Sequence, residues 1–344
     1  MQMSAGKLRS MRRLADENGF FKMTAVDQRP PIMNLIKQKK NVDQASYADV
    51  AAVKESFTKI LAPAASAMLL DPIWALPNAH QHVSPHQGLI MTIEAHDFFE
   101  DEKGRRSHNI PDWSVAKIKA AGGDAVKALA WYHPDAHPET NAFQQKYVQD
   151  LGDACRKYDL PFVFELLVYP LAGEANQTQD YVEHASKQAK NVIDSVREFA
   201  KPKYGVDLLK LESPIPASQV PDFNGKDAAA TQAIFDELGA LCTVPWVMLS
   251  AGANMEDFYR ILQYAYKAGA AGYLAGRAIW LKAAQKYPDI AAMEKELIQE
   301  SLPYMARLNA LTDASATPWF KHNGKTVTLA GADQNFPKNY RVDF

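Results

Sequence analysis

With 344 residues and 47% hydrophobic content, the chain has material for a sizeable core, in one large domain or two ordinary ones. Its formal net charge of −2 lacks the global basic bias of a nucleic-acid binder, although a phosphate site needs only local positive charge. Two cysteines, Cys155 and Cys242, form neither a disulfide framework nor a zinc set and fit a reducing cytosol as packing residues.

Residues 1–19 read as a basic cap helix without the apolar run of a signal peptide. The first strand-like run is FKMTAVDQ (21–28), followed by an amphipathic helix over 47–64 and a second run, SAMLLDP (66–72). The apolar stretch ILAPAASAMLL (60–70) is too short to span a membrane, so a cytoplasmic protein is expected. A polar link, ALPNAHQHVSPHQ, reads as a short or irregular helix before the third run, GLIMTIE (88–94). Then follow a helix over 112–122, AVKALAWYH (125–133), a helix over 141–159 and PFVFELLVY (161–169). A helix over 182–201 leads to VDLLKLESP (206–214), and one over 227–241 leads to PWVMLSAG (245–252). The helix over 254–269 opens at Asn254 and ends at Gly269, as N-cap and C-terminal glycine preferences predict. The eighth run is GYLAGRA (272–278), and a last helix covers 289–311.

Near-continuous apolar runs alternating with helical patterns suggest strands buried on both faces, and hence an α/β fold of the (β/α)8 TIM-barrel type. A doubly wound sheet is the rival, but DQRPP follows the first strand where a glycine-rich turn would be expected. The expected organisation is a cap segment over 1–19, a barrel over 20–311 and a tail over 312–344. The tail shows little periodicity; its expected place is on the surface, over the barrel mouth or a neighbouring subunit.

Active sites of such barrels form where the strands end. Polar residues at those ends are Asp27, Gln28 and Arg29, then Asp71, Glu94, Lys127, Glu165, Lys210, Glu212, Ser250 and Arg277. Strand alternation puts Lys210 on the face of Val206, Leu208 and Glu212, opposite Leu209 and Leu211. A charge turned into the helix layer would be costly, so Lys210 is expected to point inward and pair with Glu165 or Glu212. Such a lysine either seals the barrel as an ion pair or acts as an amine nucleophile. Burial and a second cation, Lys127, both favour a neutral amine able to attack a ketone, with Glu165 as proton-transfer partner. Asp27 either binds substrate hydroxyls, positions Lys210, or pairs with a neighbouring lysine.

The segments LSAGAN (249–254) and LAGRAIW (274–280) end the last two strands. Small residues there, with Ser250, Gly252, Gly276 and Arg277, suit an anion held by backbone N–H groups and a guanidinium; Gly252 and Gly276 could equally be turn residues. His80, His82 and His86 have a spacing that could bind zinc, but His86 immediately precedes the third strand, at the far end of the barrel. A polar loop is the better reading. His96 and His133 could line the mouth.

The set AVDQR (25–29), LLDPIWALP (69–77), DAVKALAWY (124–132), FVFELLVY (162–169), VDLLKLESP (206–214), LSAGA (249–253) and LAGRAIW (274–280) resembles the bacterial class I tagatose-1,6-bisphosphate aldolase family. That family is similar to the sulfofructose-1-phosphate aldolases. The resemblance implies retro-aldol cleavage without a metal or other cofactor. It implies Lys210 as Schiff-base lysine, Glu165 as acid/base, Lys127 as second lysine and Asp27 as strand-one acid. Ser250, Gly276 and Arg277 match the phosphate site, and Gln28, Arg29 and Gly252 join the expected substrate contacts. The chain departs from the family pattern at DQRPPIMNLI, where Pro30, Pro31 and Asn34 replace a small residue and a further basic one. The distal group is therefore open between a 6-phosphate, a sulfonate and an uncharged end. A metal-dependent lyase or isomerase and a non-catalytic phosphosugar-binding barrel are the alternatives of different class. The expected partner is a small phosphosugar, with no nucleic acid or membrane, and a homodimer is the expected assembly.

Overall fold

The computed structural model describes residues 2–171, 188–324 and 326–340. Its centre is a closed barrel of eight parallel strands in chain order. They are β1 Phe21–Ala25, β2 Ala67–Leu70, β3 Gly88–Thr92, β4 Ala125–Tyr132, β5 Phe162–Val168, β6 Leu208–Leu211, β7 Trp246–Met248 and β8 Gly272–Ala275, with β8 pairing back onto β1. Alternation along each strand divides its side chains between two cores. Met23, Leu69, Ile90, Val163, Leu208 and Val247 pack in the lumen. Met68, Val126, Phe164, Leu209, Leu211 and Trp246 pack outward under the helices. Both faces are dry, which is why these segments read as continuous apolar runs.

Several helices begin where their sequence prescribes. Ser46 caps Tyr47–Leu61 by accepting from the Asp49 N–H at 3.1 Å, and Asn254 caps Met255–Lys267 by accepting from Asp257 at 2.9 Å. The polar link after β2 holds one short turn, Leu76–Ala79, and a 3-10 turn, His80–His82. The helix expected over 182–201 lies partly outside the described residues; its described part is Ala189–Phe199. The single helix expected over 289–311 is instead Ile290–Glu296 and Leu302–Ser315, joined by a π turn just before Pro303. Further elements were not expected. Pro30–Lys40 forms a helix, started by prolines that need no N–H partner there, and Phe99–Asp101 pairs with Gly104–Arg106 as a hairpin.

The described part of the C-terminal segment, to residue 340, does not reach the mouth. Trp319 stacks on Phe21, at the start of β1, with ring centroids 6.4 Å apart, and shares a core with Met11 and Leu14 of the helix Ala5–Leu14. Thr328–Leu329 pairs in parallel with Gln2–Met3. The two ends of the chain thus close the N-terminal end of the barrel together. The physical reason is the large apolar ring of Trp319, which finds its dry surface at the exposed bottom of the lumen core.

Asp71, at the end of β2, does not serve the mouth either. It pairs with Lys54 of the helix Tyr47–Leu61 at 2.5 Å, and both side chains are fully buried. Lys54 also donates to the Val26 carbonyl at 2.7 Å, while Asp71 accepts from the Ile73 and Trp74 N–H groups. Burial pushes the Lys54 ammonium below its ordinary pKa, against the pull of Asp71. Lys54→Met leaves the buried Asp71 without its countercharge. It is expected to cost about 3–5 kcal/mol in urea unfolding, and Lys54→Met with Asp71→Asn to recover part of that loss. Equal destabilisation of the single and double variants would show that the charge is not the cause.

Candidate active site

Strand register assembles the ionisable groups. In adjacent strands Thr92 stands opposite Lys127, Leu129 opposite Glu165, and Glu165 opposite Lys210. Lys127, Glu165 and Lys210 therefore all point into the barrel just above the apolar lumen, Lys127 from near the start of β4, Glu165 from the middle of β5 and Lys210 from β6. They line a cavity of about 120 Å³ together with Asp27, Gln28, Arg29 and Glu94.

Lys127 is the hub of this group. Its Nζ lies 2.9 Å from Asp27 Oδ2, 2.6 Å from Glu94 Oε1 and 2.7 Å from Glu165 Oε2. The same oxygen of Glu165 lies 2.9 Å from Lys210 Nζ. Of the two partners expected for Lys210, the structure supplies Glu165. Glu212 lies just past the end of β6 and accepts from the Val168 N–H at 2.7 Å instead. Arg29 donates to the Glu94 carbonyl at 3.0 Å and approaches its carboxylate at 3.4 Å, while Thr92 donates to the other carboxylate oxygen at 2.5 Å.

Burial opposes charge on Asp27, Glu165 and Lys127, yet their partners prevail. Burial works against the Asp27 carboxylate, but Lys127, Lys210 and Arg29 hold its pKa well below the usual range. Glu165 is lowered in the same way, against burial, by Lys127 and Lys210. Lys127 is raised despite burial, because Asp27, Glu165 and Glu94 surround it. Asp27, Glu165 and Lys127 thus form an ionised cluster in a dry setting, held by shared opposite charges.

The opposite side of the mouth is built by β7, β8 and β1. Ser250, Ala251, Gly276, Arg277 and Gln28 line it. Gly276 caps the helix Arg277–Ala284, and a Cβ there would stand 2.6 Å from Gln28 Nε2 and 2.7 Å from the Ala25 carbonyl. Gly252 does not line the cavity, contrary to its expected place among the substrate contacts. It supports the wall from behind, at a φ of +84°, where a Cβ would stand 3.1 Å from the Arg277 guanidinium. One atom each of Asp27 (Oδ1), Gln28 (Oε1) and Arg29 (Nε) is buried without a hydrogen-bond partner among the described residues.

Of the histidines, His96 lines the cavity, and burial followed by the nearby Arg29 lowers its pKa. His133 is instead held by the Asp135 N–H and by Asn191. His80 contacts the Leu76 carbonyl and His82 contacts Glu55, both away from the cavity. Both cysteines are buried, which pushes their thiols up.

Glu94 is the residue to which sequence reasoning gave no role. It joins Arg29, Thr92 and Lys127 in one cluster. Its signal was present, since the run GLIMTIE ends on a carboxylate where the barrel opens. The same holds for Leu129, Trp131 and Leu167, which share strand parity with Lys127 and Glu165 and line the cavity above them.

Comparison with known proteins agrees with this architecture. The model of the DeoC/LacD family aldolases matches residues 21–282. The tagatose 1,6-diphosphate aldolase of Listeria monocytogenes is 32% identical over 333 residues, covering 94% of this chain and 96% of its own. Tagatose 1,6-diphosphate aldolase 2 of Enterococcus faecalis is 33% identical, covering 93% and 97%. Among solved structures, an archaeal fructose 1,6-bisphosphate aldolase superposes with a TM-score of 0.57 at 15% identity, covering 89% of this chain and 99% of its own. The fructose-bisphosphate aldolase of Plasmodium falciparum gives 0.61 at 12% identity, covering 92% and 98%. These structures share the barrel. The extent of the family match and the identity to full-length relatives establish that this chain belongs to the DeoC/LacD aldolase family, and so to the carbon–carbon lyases.

Proposed function

We propose that the chain is a class I aldolase that cleaves a ketose 1-phosphate to dihydroxyacetone phosphate and an aldehyde. The observation that carries this reading is the buried amine of Lys210, 2.9 Å from Glu165 Oε2 and open to the cavity. An amine in such a place can attack the ketose C2 carbonyl and, with loss of water, form an iminium ion. Glu165 then takes the proton of the C4 hydroxyl. The C3–C4 bond breaks, its electron pair forms the C2–C3 double bond of an enamine and neutralises the nitrogen, and the aldehyde leaves. Protonation at C3 and addition of water release dihydroxyacetone phosphate and restore the amine.

Lys127 keeps Glu165 and Asp27 ionised and oriented, and can hold substrate oxygens. The unpartnered atoms of Asp27, Gln28 and Arg29 suit the hydroxyl groups of a sugar. Ser250, Gly276 and Arg277 suit the 1-phosphate, with Gly252 as support behind Arg277. No metal or cofactor has a part in this chemistry. Among the described residues no helix is long and apolar enough to cross a membrane, and a cytosolic enzyme acting on a small phosphosugar fits the reading. Relatives named for tagatose 1,6-diphosphate make that sugar one candidate substrate.

Borohydride reduction in the presence of dihydroxyacetone phosphate is expected to leave a covalent adduct on the peptide containing Lys210, read by mass spectrometry. Binding of dihydroxyacetone phosphate without an adduct would refute the imine mechanism and favour a metal-dependent or binding-only barrel.

A further inference from the structure

The cavity that holds Lys210 and Glu165 continues beyond the barrel mouth. A second cavity, of about 320 Å³, adjoins it along the helix Pro30–Lys40. Pro30 and His96 line both, so these two side chains mark the passage from one to the other. Beyond them lie Met33, Lys37, Asp43 and Gln44.

His96 is held in this passage from two sides. Its backbone follows β3 and is tied to the returning chain: Glu94 bridges Asn109, and the Ala95 N–H donates to the His108 carbonyl at 2.8 Å. Its ring meets Trp74 edge-on, with centroids 6.3 Å apart. Among the described residues neither ring nitrogen has a hydrogen-bond partner. Burial, followed by the nearby Arg29, lowers its pKa, so near pH 7 the ring is neutral. One nitrogen then donates and the other accepts.

Strand order gives the direction of the substrate. β3 stands four strands from β7 in the closed ring of eight, across the mouth. A ketose with its 1-phosphate after β7 and β8 and its C2 on Lys210 extends its aldehyde half away from the phosphate, towards the end of β3. A neutral imidazole there matches a hydroxyl group, which both donates and accepts.

We propose that His96 is a specificity-determining residue: it hydrogen-bonds a hydroxyl of the aldehyde half, so that the product is a hydroxyaldehyde whose far end passes between His96 and Pro30. This rests on the reading of the site as a ketose-1-phosphate aldolase and adds the residue that selects the distal half.

The reaction run towards synthesis separates the two halves. Dihydroxyacetone phosphate forms the iminium ion on Lys210 with loss of water, and its hydroxymethyl carbon gives a proton to Glu165, leaving the enamine. In D2O this step is read by NMR as deuterium exchange and needs no aldehyde. The enamine carbon then attacks the aldehyde carbon, the aldehyde oxygen takes a proton from Glu165, and water releases the ketose 1-phosphate and the free amine. The parent is expected to exchange, and to use glyceraldehyde at least about tenfold better than propanal in kcat/KM. His96→Ala is expected to lose at least about tenfold in kcat/KM for glyceraldehyde relative to exchange. His96→Gln, which keeps a neutral donor and acceptor, is expected to regain at least about threefold of that loss. Equal use of the two aldehydes by the parent, or consumption of neither, overturns the assignment and leaves the imine reading standing. So does a His96→Ala protein in which exchange and addition fall together or not at all. An equal loss in the alanine and glutamine variants also overturns it, and assigns His96 to packing on Trp74. Absence of exchange in the parent overturns both readings together.

Discussion

Replacing Lys210 with methionine is expected to lower kcat for ketose 1-phosphate cleavage by about four orders of magnitude or more. Methionine approximates the length of the lysine stem but offers no amine to the carbonyl. The fold should survive the change, because Glu165 keeps Lys127 at 2.7 Å as countercharge. Leu208, in the lumen below, and Leu211, in the outer core, keep their packing. The variant should therefore unfold in urea close to the parent and still bind dihydroxyacetone phosphate, since the residues assigned to the phosphate lie just after β7 and β8. It should give no borohydride adduct. A Lys210→Met protein that cleaves within about tenfold of the parent would end the imine account. Lost activity together with a collapsed fold would instead identify Lys210 as a structural ion-pair partner.

Lys127→Met should show the opposite profile, with stability as its first casualty. One ammonium serves Asp27, Glu94 and Glu165, all buried. Removing it leaves Arg29 on Glu94 and Lys210 on Glu165 but strips the direct partner from Asp27. The expected loss near neutral pH is about 3–5 kcal/mol, the usual cost of breaking a buried ion pair from one side.

Its pH dependence follows from the direction of the shifts. Asp27 and Glu165 are lowered on folding from ordinary values of 3.8 and 4.5. Their contribution to stability is present above those values and is lost as the pH falls through the lower, folded ones. Lys127 is raised on folding from 10.5, so its contribution is present throughout the neutral and acid range and is lost only above that value. Without Lys127, burial is free to push the carboxylates of Asp27 and Glu165 upward, and mild acid can neutralise them. The stability gap between parent and variant should thus narrow from about pH 7 to about pH 4, measured by urea unfolding at each. A gap of the same size at both would mean that Lys127 acts through packing, as its long stem could, and not through its charge.

What could be read from the sequence was the part that depends on local alternation. The eight apolar runs, their spacing by helices and the inward direction of Lys210 all follow from side chains that point to opposite faces at successive strand residues. Lys127, Glu165 and Lys210 each fall on the inward set of their own strand, so their common inward direction was legible. The caps at Ser46 and Asn254 are equally local, because the bonded N–H lies three residues away in both.

Only the tertiary structure decided how the charges are shared. That Glu165 serves two lysines with one oxygen depends on the register of β4, β5 and β6, and a slip of one residue would turn any of the three side chains into the helix layer. Asp71 and Glu94 end adjacent strands with the same kind of group. Asp71 is held behind the barrel by Lys54, which arrives from a helix, whereas Glu94 stays in the mouth with Arg29 and Lys127. Nothing in the few residues around either carboxylate carries that distinction. The tail shows the same limit: Trp319 could have covered any apolar surface, and only closure of the barrel presents Phe21 at the bottom to receive it. Alternation is written in a strand's own residues, whereas the partner of a buried charge or a large ring is set by segments distant in the chain that folding brings alongside it.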